Sequence, residues 1–218
     1  MRWFPLVGAL IGGIVAGVDA ALAAVASPEV RSVVAVALLA GLTGALHLDG
    51  LMDTCDAVFA VKTPAERLAI MRDSRVGSFG IVGAACVLLL KYAAILSLPA
   101  EARVQALIAM AVLSRWAMVY ATSRYPTARL EGMAFSYRSG LRASHLALAT
   151  VLAAAFVLPA GLAGAGYWLT AWLTTTMVAS YARSKVGGLT GDVYGAISEA
   201  VETSVALAAA PLWRLAGS

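Results

Sequence analysis

Three aspartates stand close together between His47 and Asp56, in the sequence His-Leu-Asp-Gly-Leu-Met-Asp-Thr-Cys-Asp. Asp49, Asp53 and Asp56 are spaced at i, i+4 and i+7, and on a helix these positions share one face. Like charges on one face repel one another, whereas a divalent cation between them would be attracted to all of them. Mg²⁺ prefers oxygen ligands and keeps some positions for water and substrate phosphates.

An acidic, solvated helix in a loop would show the same spacing. The chain has only 12 acidic residues among its 218, so a cluster of three beside long apolar segments favours the metal site. His47 adjoins the cluster and is a candidate base or ligand, although a single histidine is often only a satisfied hydrogen-bonding group.

A second polar stretch runs from Arg72 to Gly80 as Arg-Asp-Ser-Arg-Val-Gly-Ser-Phe-Gly. Asp73 would complete the metal cluster. Arg72 and Arg75 would hold phosphate oxygens, which guanidinium groups bind in a bidentate manner. The alternative is an ordinary surface loop with an Asp–Arg pair.

A third polar stretch, Gly-Gly-Leu-Thr-Gly-Asp, begins at Gly187 and leads into a helical pattern. Its N–H-rich backbone suits phosphate oxygens, so the sequence predicts phosphate-binding roles for Gly188, Thr190 and Gly191. Asp192 would join the metal ligands and Glu199 the substrate site, while the deeper Glu202 is expected to have a structural partner. A polar pair at a helix end is the alternative. If one site is formed, the last helix must pack against the start of the acidic stretch.

Three further charges fall in apolar surroundings, namely Asp19, Lys91 and Arg115. Charged side chains within a membrane segment need partners. Asp19 could pair with Lys91, or Glu199 with Arg115, and the sequence does not choose between these pairings. Arg115 stands near one end of its segment and is also a candidate to reach a phosphate.

The elements that carry these residues are predicted to be membrane helices. The chain is 61% hydrophobic and 13% charged, whereas soluble domains carry about a quarter charged residues. We therefore expect one integral membrane domain over 1–218, an all-α polytopic bundle of about seven transmembrane helices, the first of them uncleaved. The segments apolar enough to span are 5–26, 31–47, 78–98, 104–122, 143–160, 162–182 and 193–213.

Basic residues are distributed unevenly between the two predicted sides of the membrane. One side receives only Arg31, Arg103 and Arg214. The other receives Arg2, Lys62, Arg67, Arg72, Arg75, Arg124, Arg129, Arg138, Arg142, Arg183 and Lys185. By the positive-inside rule, the N-terminus and the loops 48–77, 123–142 and 183–192 are cytoplasmic, and the polar motifs face the cytoplasm.

Other classes of function are disfavoured by what the sequence contains. The net charge of +4 is consistent with the charge bias that sets membrane topology and with contact with anionic membrane lipid. The sequence has no stretch of basic residues interleaved with aromatic ones, so it does not indicate nucleic-acid binding. Cys55 and Cys86 are far apart and form neither a disulfide framework nor a zinc site.

Together the motifs resemble those of the cobalamin (5′-phosphate) synthase family, also called adenosylcobinamide-GDP ribazoletransferases. Members usually carry a further stretch before Phe-Pro-Leu-Val-Gly, which begins here at Phe4. The matching motifs are His47-Leu-Asp49-Gly50-Leu-x-Asp53-x-x-Asp56, Arg72-Asp73-Ser74-Arg75-Val76-Gly77-x-Phe-Gly80, and Gly187-Gly188-x-Thr190-Gly191-Asp192-x-x-Gly195-Ala196-x-x-Glu199-x-x-Glu202.

The resemblance implies an integral inner-membrane enzyme that uses Mg²⁺. It would join adenosylcobinamide-GDP to α-ribazole or its 5′-phosphate and release GMP, with adenosylcobalamin or its 5′-phosphate as product. The partners expected are these small molecules and membrane lipid, with a homo-oligomer left open and no nucleic acid.

Two rival functions predict other patterns. A CDP-alcohol phosphotransferase of phospholipid synthesis would have Ala-Arg where this chain has Asp53-Thr54. A cation transporter would carry acidic residues near the middle of its spans in paired repeats, whereas the acids here gather at one predicted face and no repeat is visible.

Overall fold

The computed structural model describes residues 1–217, and within this range the chain forms ten α-helices, one 3-10 turn and no β-strand. The prediction of an all-α protein is confirmed. The elements are α1 (Phe4–Leu22), α2 (Pro28–Gly41), α3 (Leu46–Phe59), α4 (Pro64–Ile70), α5 (Ser78–Leu96), α6 (Ala100–Arg124), α7 (Met133–Ser139), α8 (Ala143–Val157), the 3-10 turn (Leu158–Ala160), α9 (Gly161–Val186) and α10 (Gly191–Ala216).

The centre of the bundle is α6, which is buried along most of its length and contacts α1, α8, α9 and α10. Many of its buried positions are alanines, and small residues let membrane helices approach closely. A Cβ atom at Gly12 of α1 would lie 2.8 Å from the Cα of Ile108 in α6. The first helix therefore packs directly on the backbone of the central one.

Two helices, α8 and α9, run in opposite directions beside α6. The indole nitrogen of Trp116 donates to the Thr150 hydroxyl of α8 at 3.1 Å, and the Trp116 ring lies 4.7 Å from that of Trp168 in α9. At the start of α6, the Gln105 side chain donates to the Phe156 carbonyl near the end of α8. The chain thus runs antiparallel to α6 in α8 and returns along it in α9.

Four helical segments in 1–217 are long and apolar enough to cross a membrane, or five if the bent pair of α2 and α3 counts as one. This finding supports a polytopic membrane bundle but gives fewer spans than the seven predicted. One counted segment, Ala143–Val186, contains both α8 and α9, which were predicted as separate spans. The predicted last span, 193–213, is not counted; its helix carries the buried carboxylates of Glu199 and Glu202.

A sharp bend of 83° separates α2 from α3. It is made by two consecutive left-handed residues, Gly44 with φ +58° and Ala45 with φ +57°. Glycine adopts this conformation freely, whereas for alanine it is strained. The bend turns α3, with its acidic residues, away from the direction of α2 and across the ends of other helices.

The three predicted cytoplasmic loops meet at one end of the bundle. Thr127 and Leu189 form an isolated parallel bridge between the second and third loops. Arg129 donates to the Leu68 carbonyl of α4 in the first loop at 2.6 Å, and the start of α1 packs on α7. We call this the acidic end, because the motif aspartates lie here.

Candidate functional site

The site is organised by a close crossing of α3 and α10. A Cβ atom at Gly50 would lie 2.7 Å from the Asp192 carbonyl oxygen, and one at Gly195 would lie 2.9 Å from the His47 carbonyl oxygen. Only glycine at both positions allows the two backbones to come this close. The prediction that the last helix packs against the start of the acidic stretch is confirmed.

This crossing brings acids from two distant motifs together. Asp49 and Asp192 line a common cavity, and Asp53 is near enough to Asp49, Asp192 and Asp56 for their charges to repel its own. Across residues 1–217, however, no group of three or more His, Cys, Asp or Glu side chains is arranged to hold a metal ion. The five predicted ligands, Asp49, Asp53, Asp56, Asp73 and Asp192, therefore do not form a preassembled shell.

Asp56 holds the beginning of α5. One carboxylate oxygen accepts from the Gly77 backbone N–H at 2.7 Å, and the other accepts from that of Gly80 at 2.8 Å. A negative charge at a helix N-terminus also interacts favourably with the helix dipole. Because a carboxylate oxygen has more than one lone pair, these bonds leave room for a ligand, and a metal role for Asp56 stays a prediction.

The Arg72–Arg75 segment is exposed and internally paired. Asp73 accepts from the Arg75 guanidinium at 2.7 Å, and the hydrogen bonds from the Arg75 side chain and backbone hold the Asp73 pKa at about 2, well below its ordinary value. Arg72 pairs with Glu131 at 2.7 Å. Exposed pairs of this kind are weak and easily exchanged, so the predicted metal and phosphate roles stay open.

A buried ion network lies deeper in the bundle, between α5, α6 and α10. The Lys91 ammonium donates to Glu199 at 2.6 Å and to Glu202 at 2.7 Å. Arg115 donates to the other oxygen of Glu202 and to the Ser114 hydroxyl. Glu202 therefore has the structural partners expected of it. Glu199 is bound to Lys91, so neither of the two pairings considered from the sequence is formed.

Asp19 is paired at the opposite end of the bundle. It accepts from Arg103 of α6 with both oxygens and from Arg31 of α2. Arg103 also donates to the Ser32 hydroxyl and the Ile95 carbonyl. This cluster joins α1, α2, α5 and α6 far from the acidic residues.

Arg115 is the one predicted phosphate ligand that combines deep burial with a free donor. Its side chain is 3% exposed, and its Nη2 has no hydrogen-bond partner among the described residues. Arg115 nevertheless lines the cavity that Asp49 and Asp192 share. A buried donor without a partner is costly, and a ligand oxygen in the cavity would satisfy it.

The cavity, which we call the acidic cavity, has a volume of about 310 Å³. His47 also lines it, and its Nδ1 forms a hydrogen bond of 3.2 Å with the Ser198 hydroxyl. The remaining walls come from α1, the α2–α3 bend, α6, α7 and α10. They are formed by Phe4, Val7, Ile11, Leu42, Thr43, Leu46, Met118, Met133, Tyr137, Gly191, Tyr194 and Gly195.

The Gly-Gly-Leu-Thr-Gly-Asp stretch is largely used for folding. A Cβ atom at Gly188 would lie 2.6 Å from the Ala128 nitrogen, so this glycine lets two loops pair. Thr190 caps α10, accepting from the Val193 N–H and donating to Asp192. Gly191 alone of the three predicted phosphate-binding residues lines the acidic cavity.

Comparison with known proteins identifies the family. A profile of cobalamin-5-phosphate synthase matches residues 1–210. The chain belongs to this family. A curated relative named adenosylcobinamide-GDP ribazoletransferase from Desulforamulus reducens is 40% identical over 211 residues, covering 94% of this chain and 83% of the relative. The protein of that name from Roseiflexus sp. is 41% identical over 209 residues, covering 95% and 77%.

A third relative of the same name, from Geotalea daltonii, is 37% identical over 202 residues, covering 91% of this chain and 81% of the relative. No solved structure matches the chain.

From the sequence, Arg129 is only one of the basic residues of the second loop. Burial, and next the charge of Arg72, lower the pKa of the Arg129 guanidinium, whereas the charge of Asp192 acts in the opposite direction. Arg129 is thus a cation near the acids in this family member. Its position depends on the pairing of two loops, which no local sequence pattern indicates.

Proposed function

We propose that this protein is an adenosylcobinamide-GDP ribazoletransferase. It joins adenosylcobinamide-GDP to α-ribazole or its 5′-phosphate, releases GMP and yields adenosylcobalamin or its 5′-phosphate. The names of relatives that cover most of the chain support this activity. The observation that carries it is the α3–α10 crossing, since it brings the acids of two separate motifs to one cavity.

We further propose that Asp49, Asp53 and Asp192 hold Mg²⁺, with Asp56 and Asp73 as the additional ligands that the sequence predicts. The donor set fits this ion. The three carboxylates repel one another, and the nearby buried cations Lys91 and Arg115 are already engaged by Glu199 and Glu202. Mg²⁺ commonly uses one or two carboxylates together with waters and phosphates, so a preassembled shell is not required. When bound, it supplies positive charge that stabilises the pyrophosphate and the departing GMP.

The protein residues then position and deprotonate the acceptor. A hydroxyl of the ribazole attacks the phosphorus on the cobinamide side of the pyrophosphate, the new P–O bond forms, and the P–O bond to GMP breaks. One of the carboxylates, or His47, takes the hydroxyl proton. Arg115 donates from Nη2 to an oxygen of a bound substrate, and Gly191 lets the ligand approach the start of α10.

The experiment that tests the function is product formation by the purified protein in detergent. Adenosylcobinamide-GDP and α-ribazole are supplied with Mg²⁺, or with EDTA in its place, and the corrinoid product and GMP are separated by chromatography. We expect stoichiometric product and GMP with Mg²⁺ only. Product formation at the same rate in EDTA would reject the metal, and no product under either condition would reject the transferase.

The long apolar helices support a membrane protein, and we propose that it resides in the cell inner membrane with the acidic end in the cytoplasm. The clustering of basic loops at that end supports this orientation. A single cysteine introduced at Thr63, in a background without Cys55 and Cys86, should resist a membrane-impermeant thiol reagent in intact cells and react after lysis. Labelling in intact cells would reverse the orientation.

A further inference from the structure

The lining of the acidic cavity contains two chemically different groups of residues. The aromatic and aliphatic residues, including Phe4, Met118 and Tyr137, form what we call its apolar side. The carboxylates of Asp49 and Asp192, together with Arg115, form what we call its polar side. A ligand that fills this space must therefore present both apolar surface and oxygen atoms.

The cavity is large enough for only one of the two substrates of the proposed reaction. Its volume of about 310 Å³ is at the lower end of the range of about 300–1,000 Å³ found for small-molecule pockets. A corrin macrocycle with its side chains is several times larger than this space. A single nucleoside, with a fused aromatic base and one ribose, is of the right order.

The apolar side suits an uncharged aromatic base. Aromatic rings bind other rings edge to face or offset, and Phe4 and Tyr137 already pack edge to face, 5.9 Å apart. The flexible thioether of Met118 adapts to a planar ligand and makes favourable contacts with aromatic rings. An uncharged aromatic base needs no charged side chain for its recognition, and none of these three side chains is charged.

The polar side suits the hydroxyls of a sugar. Arg115 Nη2 lacks a partner among the described residues although its side chain is 3% exposed. A ribose oxygen can accept from the Arg115 guanidinium, which lines the cavity, while the ribose hydroxyls can donate to the carboxylates of Asp49 and Asp192. These contacts would hold a further ribose hydroxyl, as the attacking group, beside the carboxylates that are proposed to act on the pyrophosphate.

We infer that the acidic cavity is the site of the acceptor nucleoside, with its aromatic base against Phe4, Met118 and Tyr137 and its ribose toward Arg115 and the carboxylates. The corrinoid donor stays outside the cavity, and only its pyrophosphate reaches the acids. This assignment rests on the proposed function and adds to it the place of each substrate.

The test compares two variants of the cavity wall with a matched control. Met118→Trp fills the apolar side, and Tyr137→Ala removes part of it from α7, a short helix whose residues are mostly exposed. Met177→Trp makes the first substitution on α9 at a methionine that is 70% exposed and outside the cavity. Nucleoside binding to the purified protein is measured by calorimetry, and KM is determined for each substrate.

We expect both wall variants to weaken nucleoside binding and raise its KM by tenfold or more, with the KM for adenosylcobinamide-GDP within twofold of wild type. Met177→Trp should change neither value. If the wall variants raise the KM of the donor and leave that of the nucleoside unchanged, the assignment is overturned while the transferase activity stands. A wild-type protein that makes no product would instead reject the proposed function, and this inference with it.

Discussion

Two buried arginines of α6, Arg103 and Arg115, make opposite use of the same side chain. Arg103 donates from all three guanidinium nitrogens, to Asp19, Ser32 and Ile95. Arg115 donates from Nη1 and leaves Nη2 without a partner in the described part of the chain. One arginine is fully committed to joining helices, whereas the other retains a donor.

The difference follows from what surrounds each arginine. Around Arg103, residues from four helices converge, and each of its three guanidinium nitrogens finds an acceptor inside the protein. Arg115 lines a cavity beside the α3–α10 crossing, and the described protein atoms around its Nη2 offer that nitrogen no acceptor. Buried charges in a membrane bundle can therefore serve packing or ligands, and the presence of an adjoining cavity distinguishes the two uses.

The largest effect is expected from breaking the fully paired cluster. Asp19 is 2% exposed, and Asp19→Ala would leave Arg103 buried without a counter-charge, which costs about 3–5 kcal/mol. Unfolding of the purified variant in detergent should show this loss, while the activity per folded molecule stays near wild type. Asp73→Ala, which breaks an exposed pair, is the control and should leave stability almost unchanged. Wild-type stability of Asp19→Ala would show that the cluster is not structural.

The opposite behaviour is expected at the acidic end. Asp53→Asn removes one of several mutually repelling charges, so the free energy of unfolding should stay the same or increase. Its kcat/KM should fall by about 10²–10³, as when a group that stabilises transition-state charge is removed. Steady-state kinetics at saturating Mg²⁺ measures this.

The control for Asp53→Asn is Glu101→Gln, which neutralises an exposed acid at the start of α6. It should retain full activity. Near-normal turnover of Asp53→Asn at saturating Mg²⁺ would exclude a ligand role for Asp53, and Asp192 would then be the next carboxylate to test.

The sequence predicted the acidic end better than it predicted the ion pairs. The hypothesis that the two acidic motifs form one site predicts that Asp49 and Asp192 lie near each other, and the structure has them on one cavity. The partners of Asp19 and Lys91 depend on how helices are rotated about their axes. Apolar helices rich in alanine, such as α6, have no polar face that would reveal this rotation from the sequence.

The number of candidate spans in residues 1–217 is lower than the seven predicted for a related reason. Hydropathy detects apolar length but not direction, so it did not detect the bend at Gly44 and Ala45. Thr190 shows the converse case. Its role as the cap of α10 is indicated by a threonine immediately before a helical pattern, a signal that does not depend on any phosphate ligand.

The α3–α10 crossing can be opened by a single methyl group. In Gly50→Ala, the new Cβ would meet the Asp192 backbone at about 2.7 Å, and overpacking of this kind costs about 1–3 kcal/mol. Because the two helices carry the acids, kcat should fall as well. Gly41→Ala is the control, since no described atom lies within 4 Å of its added Cβ. Equal stability and turnover in both variants would show that the close crossing does not position the site.

The prediction with the smallest expected effect tests whether the α3–α10 crossing or the α2–α3 bend positions the acids. Ala45 has φ +57°, and its left-handed conformation costs alanine about 1–2 kcal/mol. Ala45→Gly relieves this strain but adds backbone entropy to the unfolded chain, at a cost of about 0.5–1 kcal/mol, so unfolding should become harder by about 0.5 kcal/mol. Ala23→Gly makes the same change at φ −59° and should only destabilise. If the α3–α10 contact holds Asp49 in place, Ala45→Gly will keep its turnover within twofold of wild type. A more stable but much slower variant would show that the strained bend, and not the crossing, sets the position of the carboxylates.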